Sequence, residues 1–246
     1  MVLRTRRSAL LAMVAATALA LPACGAAPAA GTAPVTIGSV NPYGGDPAAE
    51  GTPDRGGVLR MGMDRAVASF DPTVRNTNQA MFAVYDSLLR LRPDGTAEPY
   101  LAQSMDTPDG GTTWRIGLRP DVLFSDGTPL DANAVIVNLQ RHRDQPASAG
   151  NTYAQRIASM RAVDPLTVEI VLDRPIGSFP VVFAYSTTYG SLGAIVSPTA
   201  LAQYGDDIGS HPVGAGPFEL TEWVRDADLR LERNPNYWQD GLPYLD

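Results

Sequence analysis

The stretch "GTTWRIGLRPDVLFSDGTPLDANAV", Gly111 to Val135, sets a strand, a turn and a helix start side by side. In "TTWRIGLR" the apolar residues Trp114, Ile116 and Leu118 alternate with polar ones, the period of a half-buried strand. "DGTP" (Asp126 to Pro129) is a turn signal, with a glycine to take the positive φ that such turns need. Asp131 then stands where a helix N-cap belongs. Ala132, Val135, Ile136 and Leu139 follow at helical spacing, which predicts a helix to about Arg143.

Outward from this centre the same reading extends to most of the chain. Val58 to Met63 alternates like a strand, and the folded body is expected to start near Gly57. Gln79 to Leu89 carries Met81, Val84, Tyr85 and Leu88 at helical spacing. "MRAVDPLTVEIVL" is a hairpin pattern, two β-rich runs around Asp164-Pro165. Pro198 to Tyr204 reads as a short helix, Phe218 to Val224 and Leu229 to Arg233 as a strand pair, and "NPNYW" as a closing turn. Strands and helices mix irregularly, without the strict alternation of a doubly wound sheet. The fold class is therefore mixed α/β.

The first 56 residues read differently. Arg4, Arg6 and Arg7 precede an apolar run from Ser8 to Leu21, the layout of a secretory signal. That run is shorter than the roughly 20 residues a spanning helix needs. Cys24 is the one cysteine of the 246 residues. It follows Leu21-Pro22-Ala23 and precedes Gly25, a pattern that resembles the lipobox of bacterial lipoproteins. The resemblance implies cleavage before Cys24, lipidation there, and a body held at the outer face of a membrane, where two or more acyl chains anchor stably and one only marginally. Ordinary cleavage near Ala23, leaving a free thiol, is the alternative. Thr5-Arg6-Arg7 resembles part of a twin-arginine signal, and the export route stays open.

Residues 24–56 are mostly Ala, Gly, Pro, Thr and Asp, too poor in large apolar side chains to offset the entropy of ordering. They read as a flexible tether. Removing residues 1–23 takes away three arginines and no acid, so the net charge moves from −7 to −10. An acidic body argues against nucleic acid as partner. The chain has no lysine, and with one cysteine it has no intramolecular disulfide.

Three stretches carry a family resemblance. Gly111 to Val135 is similar to the signature of extracytoplasmic solute-binding proteins of the peptide/nickel class, family 5, the capture subunits of ABC importers. "HPVGAGPFELTEWV" with "LRLERNPNYW" (His211 to Trp238) and "SFDPTVRNTNQAMFAVYDSLLRLRPDGTAEPYLAQSM" (Ser69 to Met105) resemble further segments of that family, in its order. The chain differs from the usual pattern at Asp121, Ala134 and Ala215, where Gly, Asp and Thr are customary. The resemblance implies a periplasmic-binding-protein-like fold (type II, cluster C), of which residues 57–246 would be an incomplete first lobe with the second lobe missing. It also implies an extracytoplasmic location, delivery of a peptide-like solute to ABC permease subunits, and no cofactor.

The motif residues themselves have structural work to do. Gly214, Ala215 and Gly216 let backbones pass closely, and Trp114, Trp223 and Trp238 are packing residues. The resemblance places ligand contacts elsewhere: Ser69, Phe70, Arg75, Asn76, Asn78 and Gln79 after the first strand; Asn151 and Tyr153; and Tyr185, Ser186, Thr187 and Tyr189. Each group is polar or aromatic with little fixed charge, which suits extended peptide backbone. The competing reading is solvated loops. A full two-lobed binder at about micromolar affinity has about −8 kcal/mol. One lobe with half the contacts would bind at roughly millimolar.

Catalysis finds no support. His142 and His211 are too far apart for a spaced metal motif, and "YGSLG" has the wrong spacing for a nucleophile elbow. No catalytic and no metal residue is nominated. A surface lipoprotein without transport, a non-transporting remnant, and a nickel chelate, haem or sugar as solute stay open.

Overall fold

The computed structural model describes residues 51–74, 79–184 and 192–246. Its centre is a four-stranded antiparallel sheet in the order β3-β4-β6-β5. The strands are β3 (Ala102–Asp106), β4 (Thr113–Leu118), β5 (Ile157–Asp164) and β6 (Thr167–Leu172). β4 lies opposite β6 with Trp114 facing Ile170 and Ile116 facing Val168. Trp114, Ile116, Leu118, Val168, Ile170 and Leu172 are all buried. Alternation in sequence has become one covered face of the sheet. On the other face Glu169 of β6 pairs with Arg115 of β4 at 3.0 Å and Arg161 of β5 at 2.7 Å, a charge clasp across three strands.

The helix α2 (Ala132–Asp144) packs on the covered face. Its start is fixed by Asp131, whose Oδ1 accepts from the Ala134 N–H at 2.8 Å. This satisfies one of the orphan donors of the first turn. Ala132, Val135 and Leu139 are buried and Ile136 is half-buried against the core. The "DGTP" turn forms as the sequence requires: Gly127 has φ +79°, and Asp126 Oδ1 accepts from both the N–H and the hydroxyl of Thr128. Asp126 Oδ2 also accepts from the Ser197 hydroxyl, which ties this turn to the N-cap of α4 (Pro198–Tyr204).

A second, smaller core gathers Phe70, Ala80, Met81, Val84, Tyr85, Ala194, Val196, Ala200 and Ile208. Against it lie residues of the hairpin β7 (Phe218–Val224) and β8 (Asp228–Arg233). A further small hairpin joins β1 (Leu89–Leu91) and β2 (Ala97–Pro99).

Two expectations change. The pattern from Gln79 to Leu89 predicts a helix of about three turns, but only α1 (Met81–Val84) is helical. The chain leaves the helix because the Val84 carbonyl accepts from Gly216 N–H at 2.9 Å and Ser87 bridges to Ala194. Met81, Val84, Tyr85 and Leu88 are nonetheless all buried. The segment Val58 to Met63 forms no strand. Val58, Leu59 and Met61 are 79%, 69% and 57% exposed. No neighbouring strand among the described residues completes a ladder for it, and an unpaired extended segment is not a strand.

Candidate functional site

The last turn of α2 organises the surroundings of two of the three expected ligand segments. A helix end carries carbonyls without intrahelical partners, and here neighbouring side chains take them. Asn151 Nδ2 donates to the carbonyls of His142 at 3.0 Å and Arg143 at 3.1 Å, and Gln155 Nε2 donates to Arg143 at 2.9 Å. Asn151 opens the short helix α3 (Asn151–Ala154), so this side chain fastens α3 to α2.

Arg141 reaches to the other segment. Its Nη2 lies 2.9 Å from Asp71 Oδ2 and its Nη1 3.4 Å from Oδ1, a forked pair with both side chains mostly buried. Asp71 Oδ1 also accepts from the N–H and the hydroxyl of Thr73, each at 2.9 Å. Ser69 Oγ accepts from the Asp71 N–H at 3.0 Å. The loop is thus locked to the helix by charge-assisted bonds, the stronger kind. A backbone bond from Ala149 N–H to the Thr73 carbonyl at 3.2 Å closes the circuit between the two segments. Beside it His142 Nδ1 meets Ser148 Oγ at 2.6 Å, and Gly150 N–H donates to the same oxygen. Burial lowers the His142 pKa to about 4, with Arg141 adding in the same direction. The imidazole is therefore neutral at physiological pH.

Of the expected contacts, Gln79 and Tyr153 are exposed, and Ser69 and Asn151 are half-buried. The hydrogen bond to Ser69 Oγ lies within its own loop, whereas those of Asn151 cross to the end of α2. The Phe70 ring is fully buried and stands edge-on to Trp223 at 5.3 Å, so it packs the smaller core and presents no face to a solute. Gln79 borders a trough of about 550 Å³ between the extended Val58–Val67 segment and the β7–β8 hairpin, lined also by Leu59, Met61, Trp223 and Leu229. Arg75, Asn76, Asn78, Tyr185, Ser186, Thr187, Tyr189 and Cys24 lie outside the described residues.

The anchoring is carried by Arg141, Thr73 and His142, of which the sequence singles out only His142, and that as a metal ligand, a role its spacing rejects. Asp71 stands inside the quoted "SFDPT", yet nothing in the string shows that this acid is buried and paired. Among the described residues no group of three or more His, Cys, Asp or Glu is placed to hold a metal ion. No helix among them is long and apolar enough to cross a membrane.

Comparison with known proteins places this geometry. The model of the bacterial extracellular solute-binding proteins, family 5, matches residues 96–246. The chain belongs to that family. It is 40% identical over 164 residues to the glutathione-binding protein GsiB of Shigella flexneri, covering 66% of this chain and 31% of that protein. The corresponding protein of Salmonella paratyphi A is also 40% identical over 164 residues, with the same coverage. Two solved structures share the fold. One is the periplasmic binding protein DppA of Helicobacter pylori in complex with the peptide STSA, at TM-score 0.66 and 25% identity, covering 78% of this chain and 42% of that one. The other is a nickel ABC transporter protein of Bacillus halodurans, at TM-score 0.59 and 32% identity, covering 71% and 34%. The chain spans about a third of the length of the curated relatives it matches, and its mixed α/β fold is a partial lobe of a periplasmic binding protein.

Proposed function

We propose that this family 5 chain is the solute-capturing component of an ABC importer and that its solute is a small peptide-like molecule of the glutathione class. The observation that carries the reading is the 40% identity to glutathione-binding proteins over 164 residues. The site's chemistry is in keeping with it. The charges nearest the candidate segments, Asp71 and Arg141, are spent on each other. What the segments offer outward is an amide and a phenol, Gln79 and Tyr153, groups that suit peptide main chain. The protein works outside the cytoplasm, is lipid-anchored through Cys24, and is carried by residues 24–56 as a tether for the body that starts near Gly57. Its partners are the permease subunits, and it performs no catalysis.

Calorimetric titration with reduced glutathione, with di- and tripeptides, and with a nickel–histidine chelate tests the solute. Saturable heat with glutathione or a tripeptide supports the reading. Heat with the nickel chelate alone would replace it with the second reading, which the 32% identity to the Bacillus halodurans protein favours. Labelled palmitate incorporated by the native protein and lost in Cys24→Ala tests the anchor.

A further inference from the structure

We infer that the segments Ser69–Thr73 and Ser148–Ala154 are one mechanical unit, coupled through the last turn of α2, with Arg141 as its positioning residue. The inference rests on the functional reading above only in taking these segments to adjoin the solute; the coupling itself stands on bonds within the fold.

Both segments hang on three consecutive residues. Arg141 holds Asp71 by a fork, His142 holds Ser148 through its ring and Asn151 through its carbonyl, and Arg143 holds Asn151 and Gln155 through its carbonyl. The segments also touch each other directly, Ala149 N–H on the Thr73 carbonyl. Residues some 70 positions apart therefore share one closed ring of hydrogen bonds, from Arg141 to Asp71, to Thr73, to Ala149 and Ser148, and back to His142. Links in a ring of this kind support one another, so loosening one loosens its neighbours on both sides. Interior dielectric strengthens the ion pair that closes it, and the mostly buried Arg141 has little water to replace Asp71. The consequence for binding is that a solute ordering either segment orders the other, so its contacts on the two are not independent.

The test is amide hydrogen exchange on the whole protein, with the β4 and β6 amides as an internal standard of global opening. Asn151→Ala removes two bonds to the helix end and leaves the Arg141–Asp71 pair untouched. Faster exchange by about tenfold at Thr73 as well as at Ala149 and Gly150, with β4 and β6 unchanged, is the expected result. Arg141→Met should give the mirror effect, reaching Gly150, and Arg141→Lys should restore it only in part because an ammonium cannot fork. A response confined to residues 148–154 in the first variant, or equal acceleration in β4 and β6, would overturn the coupling. Adding reduced glutathione to the unaltered protein separates the two claims. Protection at both segments supports coupling and solute reading together. Protection at one alone sinks the coupling. No protection, with the variants behaving as expected, sinks only the glutathione reading.

Discussion

Trp238 Nε1 donates to Asp86 Oδ2 at 2.8 Å, joining the turn after β8 to the chain just before β1 across 152 residues of sequence. The Tyr237 hydroxyl donates to the same oxygen at 3.0 Å. Tyr100 stands edge-on to Trp238 at 5.3 Å, and the Arg119 guanidinium lies over the indole at 4.9 Å from its centroid. Burial pushes the Asp86 carboxyl up to about 6, although hydrogen bonds from Trp238, Tyr237 and Tyr100 pull the other way. A carboxyl raised on folding favours the protonated state in the fold. Its contribution to stability is full below about pH 4 and is lost as pH rises through about 6. Asp86→Asn keeps an oxygen for both donors and removes the charge. The variant should be more stable than the native chain at pH 7.5 by roughly 1–2 kcal/mol, discounted from a ceiling of about 3. At pH 4 the two should agree. Urea unfolding at both pH values reads the difference, and the subtraction cancels acids such as Asp109, whose pKa backbone hydrogen bonds hold down to about 2.

Gly214 sits where no side chain fits. A Cβ there would fall 2.2 Å from the Val84 carbonyl oxygen and 2.5 Å from Tyr85 Cδ1, and one on Gly216 would fall 2.5 Å from the Val84 carbonyl carbon. Backbone is what it would strike, so no rotamer change relieves it. Gly214→Ala should cost about 3 kcal/mol, the upper part of the usual overpacking range. Gly177→Ala, where a Cβ meets open space, should cost little. Midpoints of denaturant unfolding decide, and equal midpoints for the two variants would refute the close-approach account.

The Tyr85 hydroxyl is buried with no hydrogen-bond partner among the described residues. Burial, with the Asp71 charge nearby, pushes its ionisation far above the usual phenol range. An unpaired buried hydroxyl costs about 1–3 kcal/mol. Tyr85→Phe keeps the ring that packs the smaller core and should raise stability by about 1 kcal/mol. A loss of that size instead would mean that an ordered water satisfies the hydroxyl.

Where local chemistry decides the structure, the sequence could be read. Asp131 caps α2 because its own carboxylate does so, Gly127 turns because only glycine takes that φ without cost, and Trp114, Ile116 and Leu118 face inward because β4 is covered on one side. The failures come where a distant partner decides. The pattern at Gln79–Leu89 cannot show that Gly216 will take the Val84 carbonyl and end the helix. The resemblance puts Phe70 in a polar and aromatic cleft cluster, while Trp223 claims its ring in space. The anchoring of the candidate segments was invisible for the same reason. Asp71 and Arg141 pair over 70 positions, and no period links them.

The segment Val58 to Met63 gives the sharpest contrast between pattern and environment. Its alternation is that of a strand, yet Leu59 is 69% exposed and Met61 57%. Burial, not hydrophobicity, sets what a substitution costs, since only area removed from water contributes. Leu59→Ser should therefore change stability by less than about 0.5 kcal/mol, the range of an ordinary surface site. Ile170→Ala, at a fully buried position of β6, should cost about 2–5 kcal/mol through lost burial and the cavity left behind. Thermal unfolding of both variants measures the pair. A cost above about 1 kcal/mol at Leu59 would contradict its exposure and place a covering partner over the trough beside it.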